Sequence, residues 1–301
     1  MKSKKSERQS LSVWCLIFLA VIVAGGIWSL IQFYGAERGS DGSLTVMSFN
    51  IRYDNPGDGE NAWPARKERV AATVRFHEAA VAGLQEVLHR QLTDLEARLP
   101  EYGRLGVGRD DGKQAGEYAP VFYLKDRFRV LDKGQFWLSQ TPTVPGSMGW
   151  DSACPRLVTW AQFQDRRTHD TFYFLNTHFD HVGEEARIQS AKLLLKFING
   201  KTGDEPLLLC GDFNCSRSDS AYTVLTSAER GLAEASTICS MPLYGSTFTF
   251  NGFDPEIVPG HQIDFIFVRN VAEVNRYGVI SDRWDGKFVS DHHAVVAGVE
   301  L

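Results

Sequence analysis

Hydrophobic and polar positions divide the chain into two regimes. From Leu11 to Ala36 there is no charged side chain, and Lys2, Lys4, Lys5 and Arg8 precede this run. A bilayer needs about 20 apolar residues as a helix, and the positive flank belongs on the cytoplasmic side. The pattern predicts a cytoplasmic tail at 1–10, a transmembrane signal anchor at 11–34 and a polar Gly/Ser-rich linker at 35–43. A cleaved signal peptide is the competing reading. It is disfavoured by the length of the run and by the lack of an A-x-A site.

From Leu44 onward short apolar runs alternate with amphipathic stretches. Strands are predicted at 44–49, 80–84, 121–124, 134–138, 158–163, 172–176, 206–210, 263–268 and 294–299. Helices are predicted at 63–78, opened by Pro64 in its first turn, at 89–99, stopped by Pro100, at 184–198 and near 219–227. The helix at 184–198 places Ile188, Ala191, Leu195 and Ile198 along one face. There is no repeat and no second compositional regime, so 44–301 reads as one mixed α/β domain.

Composition narrows the partners. The 301 residues carry 32 basic and 37 acidic side chains. The first 41 residues hold five basic and three acidic ones, which leaves the remainder at −7. A duplex-gripping surface is usually basic, so nucleic acid is disfavoured as substrate, although a local basic groove stays open. Cys15, Cys154, Cys210, Cys215 and Cys239 show neither CxxC nor zinc spacing, and free, mostly buried thiols are expected.

The chemistry lies where apolar strands stop. SFN ends at Asn50, LQE at Glu86 and LNTH at His178. LLLCGDFN carries Asp212 and Asn214, Asp264 opens a late strand, and SDHH places Asp291 and His292 before the last one. Ligands of α/β proteins sit beyond strand ends. Any one fragment reads as an ordinary turn or solvated surface; all six in this order do not. Glu86, Asp291 and Asn50 are oxygen donors of the kind Mg2+ takes. A His292–Asp264 pair would fix the imidazole tautomer and raise its basicity. HFDH at 178–181 lacks the preceding His of a metallo-β-lactamase pattern. His77-Glu78 does not complete HExxH. No GxSxG elbow and no GxxxxGK(S/T) loop occurs. The sequon Asn214-Cys215-Ser216 overlaps GDFN and is expected to be unmodified.

Taken together, these motifs resemble the exonuclease/endonuclease/phosphatase superfamily over about Leu44 to Leu301. The resemblance implies a four-layer α/β sandwich, with two packed mixed sheets flanked by helices, and a phosphoester hydrolase dependent on Mg2+ or Mn2+. It implies Asn50, Glu86 and Asp291 at the metal, His292 with Asp264 as the catalytic pair, and Asp212 and Asn214 orienting water and phosphate. His178 implies the subgroup that uses a second histidine. FNIRYDNPGDGENAWPARK, PRLVTWA and NTHFDHVGEEAR look like a bacterial branch, in which Arg156, Arg187 and Tyr123 are candidates for substrate contact. A lipid headgroup or small phosphoester is favoured over duplex DNA, with the anchored domain exported. A non-catalytic binding protein on the same fold is the alternative.

Overall fold

The computed structural model describes residues 43–254, 256, 260 and 262–301. The predicted tail, anchor and nearly all of the linker lie outside the described residues. Among the described residues no helix is long and apolar enough to cross a membrane.

Two sheets form the centre. The first contains β1 (Leu44–Asn50), β2 (Val81–Gln85), β3 (Tyr102–Leu105), β4 (Val121–Leu124), β10 (Tyr244–Gly245), β12 (Glu273–Ile280) and β15 (Ala294–Glu300), in the order β10-β12-β15-β1-β2-β4-β3. The second contains β5 (Phe128–Trp137), β6 (Leu157–Asp165), β7 (Thr171–His178), β8 (Leu207–Asp212), β9 (Ala233–Glu234) and β11 (Asp264–Arg269), in the order β5-β6-β7-β8-β11-β9. A small hairpin, β13 (Arg283–Trp284) and β14 (Lys287–Phe288), stands apart. Both large sheets are mixed. β1 runs parallel to β2 and antiparallel to β15; β8 runs parallel to β7 and antiparallel to β11.

Alternation along the strands makes the layers. Val46, Val81, Phe172, Phe174, Leu208, Cys210, Ile266, Val268 and Val295 pack in one core between the sheets. Their sequence neighbours Met47, Phe49, Ala82 and Leu84 turn outward onto helices α1 (Trp63–Phe76) and α2 (His89–Arg98). Leu175, Leu207, Leu209, Phe265 and Phe267 turn outward onto α3 (Glu184–Lys201) and α4 (Ser220–Ser227). The order is helix, sheet, sheet, helix, the expected four-layer sandwich.

The departures from the sequence reading are local. The first helix stops at Phe76 because Glu78 takes a left-handed backbone, φ 50°. β5 begins at Phe128, six residues early. It is a half-exposed edge strand with a bulge between Val130 and Asp132, which blurs the alternation. β12 is also bulged, between Val274 and Arg276, and its polar residues hid it.

Candidate active site

Strand direction brings the polar residues to one end of the sandwich. β1, β2, β7 and β8 all finish there, and antiparallel β11 and β15 start there. Residues two apart on a strand share a face. Asn50 therefore continues the row of Val46, His178 that of Phe174, Asp212 that of Leu208 and Cys210, and Asp264 that of Ile266. The core between the sheets turns from apolar to ionisable as it reaches the surface.

Just below that mouth the two sheets are stapled. Asn176, on β7, donates its amide to Leu84 O (2.7 Å) and Pro120 O (2.8 Å) across the gap. It accepts from Gln85 Nε2 at 2.7 Å. Gly83 makes room, because a Cβ there would stand 2.3 Å from Cys210 Sγ and 2.6 Å from Asn176 Cγ.

His292 Nδ1 lies 2.9 Å from Asp264 Oδ2, and both residues are buried. Burial works against a charged imidazole, but Asp264, Asp212 and Asp291 outweigh it and hold the pKa of His292 well above its ordinary value. Nδ1–H thus donates to Asp264, while Nε2 sits 3.8 Å from Asp212 Oδ2. Asp212 is pushed up to about 7 by burial and by the charge of Asp264, with His292 pulling the other way. His178 is equally enclosed. Burial and the cations Arg156 and Arg109 drive its pKa well below the ordinary value. Its Nε2 lies 3.1 Å from Asn214 Nδ2 and 3.5 Å from Asp212 Oδ2. Asn214 is fixed by its own N–H on Asp212 Oδ1 (2.9 Å) and by a second amide bond to Phe179 O (3.0 Å).

Asn50 Nδ2 donates to Glu86 Oε1 (3.1 Å) and Asp212 Oδ2 (3.0 Å). Glu86 Oε2 accepts from Tyr53 N at 3.0 Å. Asp291 accepts from Ser290 Oγ (3.2 Å) and faces Arg52 Nε at 3.7 Å. Burial raises the Asp291 carboxyl, and the charge of Glu86 adds to it. Burial and the charge of Glu86 make the Asp291 carboxylate costly to ionise, a cost that a hard divalent cation relieves, so the donor chemistry fits Mg2+ or Mn2+. Asn50 Oδ1 already accepts Arg52 N (3.0 Å) and retains a second lone pair. Arg52, Glu86 and Asn214 all have left-handed backbones, with φ 58°, 61° and 46°. Such strain in non-glycine residues clusters at sites where the surroundings impose it.

Asp212, Asp264 and His292 bring ligand atoms within 4.8 Å of one another, as do Cys154, Asp180 and His181. In the first trio the imidazole lies 2.9 Å from Asp264 Oδ2 and 3.8 Å from Asp212 Oδ2, and buried Asp264 Oδ1 has no hydrogen-bond partner. In the second, Asp180 is consumed by the N–H groups of Ala153, Val182 and Gly183 and by Arg156. Burial alone would raise Asp180, but these donors bring it down to about 2.

The cleft, about 690 Å3, is lined by Glu86, His178, Asp212, Asn214, Asp291 and His292, and by Arg156. Asn50 and Asp264 stand directly behind. Arg187 is not among the lining residues; it braces the Asp180 carbonyl at 3.0 Å. Tyr123 stands apart: it pairs with Val81 at the far end of β2, and its ring packs on Phe163. Trp63 is packing too, its Nε1 bonded to Asp94. Sequence reasoning gave no role to Arg52, Tyr53, Asp58, Arg109, Glu117, Phe250 and Phe253 and set HFDH aside, yet these residues and His181 also line the cleft. Arg52, Tyr53 and Asp58 had a signal, their place in the segment that follows SFN. Arg109 and Glu117 form a two-pronged ion pair (2.8 and 2.9 Å) on a loop without periodicity.

Known proteins share this fold. A solved endonuclease/exonuclease/phosphatase from Bacteroides vulgatus is 44% identical, with 86% of this chain and 99% of that one aligned and a TM-score of 0.83. A mannosyl-6-phosphatase from Bacteroides thetaiotaomicron is 37% identical, covering 86% of this chain and 100% of that one, with a TM-score of 0.81. An uncharacterised protein of Acanthamoeba polyphaga mimivirus is 22% identical over 80% of this chain and 38% of its own length. The chain spans 30–39% of the length of the curated relatives it matches. The sequence model of the Endonuclease/Exonuclease/phosphatase family, whose enzymes typically use divalent metal ions, matches residues 47–292 and so takes in every strand end described above. The chain belongs to the endonuclease/exonuclease/phosphatase family.

Proposed function

We propose that this protein is a phosphoester hydrolase dependent on Mg2+ or Mn2+ that removes phosphate from a small phosphomonoester, a sugar phosphate first among them. The observation that carries this reading is the buried His292–Asp264 pair facing Asp212 across a cleft whose other wall presents Glu86 and Asp291. A non-catalytic binding protein has no need of a buried, charge-paired imidazole. The 37% identity to a mannosyl-6-phosphatase supports a sugar phosphate, and the acidic domain weighs against duplex nucleic acid.

In this reading Glu86 and Asp291, with Asn50, hold the cation. When bound, it supplies neutralisation of the phosphate charge. Asp212, near 7, is a base of the right strength to take a proton from the attacking water. Water oxygen bonds to phosphorus, the ester P–O bond breaks with its electron pair on the departing alkoxide, and that oxygen takes a proton from solvent water to leave as the alcohol. His292, kept cationic by Asp264, directs Nε2–H at a phosphate oxygen as charge builds there. Neutral His178 and Asn214 orient the phosphate, and Arg156 contributes positive potential.

The test is turnover by residues 43–301 of sugar phosphates, nucleotides, phosphoinositides, sphingomyelin and nucleic acid, with Mg2+, Mn2+ or EDTA. Metal-dependent phosphate release that vanishes in His292→Ala supports the reading; undiminished activity in excess EDTA sinks it. We also propose, from the uncharged run Leu11–Ala36, that residues 11–34 anchor the domain on the outer side of a membrane. Release of the full-length protein by alkaline carbonate would refute that.

A further inference from the structure

We infer that Phe250, with Phe253 beside it, is the wall against which the alcohol part of the substrate packs, and that it selects a sugar whose ring carries the phosphate directly or through one methylene. This rests on the phosphoesterase reading above and deepens it.

Neither ring belongs to a hydrophobic core of the domain. Phe250 is 43% exposed, yet its backbone bridges to His292 and its ring meets the imidazole edge-on with centroids 5.0 Å apart. The segment that carries both rings is tightly held. Thr249 Oγ1 accepts the N–H groups of Ile263 (3.0 Å) and Asp264 (3.1 Å), and Thr249 O accepts His293 N at 2.7 Å. Asn251 N and Gly252 N both donate to Asp291 O, at 2.7 and 3.0 Å. Buried Asn251 reaches Ser290 O through its amide and accepts Phe253 N at 2.8 Å. Gly252 and Phe253 are both left-handed, φ 61° and 60°. Glycine takes that conformation freely; an aromatic residue holds it only where its surroundings impose it. The strain sets the Phe253 ring over the Arg66 guanidinium, 5.2 Å away, at the edge of the cleft.

Phe250 and Phe253 thus stand in a cleft lined mostly by charged and polar side chains, with Tyr53, Cys154 and Ile263 as the other less polar ones, and they are fixed to the same backbone that holds His292 and Asp264. His292 addresses the phosphate, so a ring in contact with it meets whatever is bonded next to phosphorus. In a sugar phosphate that is the C–H face of the sugar, which packs well on an aromatic surface. In a nucleotide the base lies beyond the ribose and out of this reach.

The experiment compares kcat/KM for a hexose 6-phosphate, glycerol phosphate, ribose 5-phosphate and AMP in the wild type, Phe250→Ala, Phe250→Leu and Phe250→Trp. The expected result is a roughly tenfold fall in the hexose-to-glycerol ratio for Ala, carried by KM. A smaller fall is expected for Leu, which keeps bulk against His292 but loses the flat face, with recovery in Trp. An equal loss of kcat on all four substrates would overturn the inference, because Phe250 would then merely pack His292. A loss larger on AMP than on ribose 5-phosphate would overturn the sugar-ring assignment in favour of a base. A wild type that hydrolyses none of the four would refute the phosphomonoesterase reading and the inference with it.

Discussion

His178 and His292 share a cleft and are both almost completely enclosed, yet their protonation is driven in opposite directions. His292 stands at the mouth of the seven-stranded sheet among Asp264, Asp212 and Asp291. His178 ends a strand of the six-stranded sheet beside Arg156 and Arg109. Two unit charges about 4 Å apart interact by roughly 4 kcal/mol at an effective dielectric near 20. That is comparable to the penalty for burying an ionised side chain: burial lowers both histidines, the carboxylates around His292 outweigh it, and at His178, although Asp212 and Glu117 lie within 4.0 Å, the arginines add to it. One histidine is thereby a standing cation and the other a neutral ligand-facing ring. In the proposed mechanism the two histidines then do different work, and exchanging the neighbours should exchange it.

The strongest way to break this comparison is to remove the cation. His292→Ala should lower turnover by about 10²–10⁴ with little change in KM. Asp264→Asn should do nearly as much, and the double variant little more, because the two act as a unit. Additive losses, measured as kcat on a metal-saturated sugar phosphate, would show that the pair does not function as one.

The comparison also depends on the sheets keeping their spacing, since one histidine rides on each. Asn176→Ala removes two amide bonds to buried carbonyls, of which Pro120 O keeps Leu84 N as a donor at 3.0 Å. An unsatisfied buried group costs about 1–3 kcal/mol, so a loss of about 1–3 kcal/mol is expected. Urea unfolding with an unchanged m-value would report it. A midpoint equal to the wild type's would mean that the staple holds nothing.

Much of this was legible in the sequence. Strands with apolar runs announce their own ends, so Asn50, Glu86, His178, Asp212 and Asp291 could be picked out before any coordinates. The asymmetry between the histidines could not. Glu117 and Arg109 come from a loop with no periodicity, and nothing local says that they arrive beside His178. The Asn176 staple was equally hidden, because NTH reads as a strand end and its partners Leu84 and Pro120 are backbone oxygens on other elements. Phe250 was invisible for a third reason. Its strand-like neighbours make only an isolated bridge to His292, so TFTFNGF has no element to belong to. Tyr123 shows the reverse error: an aromatic residue on a predicted strand was taken toward substrate, and the register put it at the far end of β2.

A smaller effect sharpens the acidic side. Glu86→Gln keeps the acceptor for Tyr53 N but removes the charge that presses on Asp291. The Mg2+ concentration for half-maximal activity should rise roughly 10–100-fold, with kcat recovered at saturation. An unchanged metal requirement, read by titration of the EDTA-treated protein, would remove Glu86 from the cation site.

The smallest expected effect is a difference in stability with pH. For His178 the folded pKa lies below the ordinary 6.5. Below about pH 6.5 the unfolded chain therefore binds a proton that the folded chain refuses, and stability declines as pH falls toward the folded value. For His292 the folded pKa is raised. Its contribution is full below 6.5 and is lost only as pH rises through the folded value. His178→Gln should therefore flatten the acid limb of the stability profile, by about 1–2 kcal/mol between pH 6.5 and 5, and leave the alkaline limb alone. His292→Gln should do the opposite, removing stability at pH 6 and converging on the wild type as pH rises. Urea midpoints at half-unit steps of pH would read both limbs. Parallel profiles for the two variants would mean that the neighbours do not separate the histidines at all.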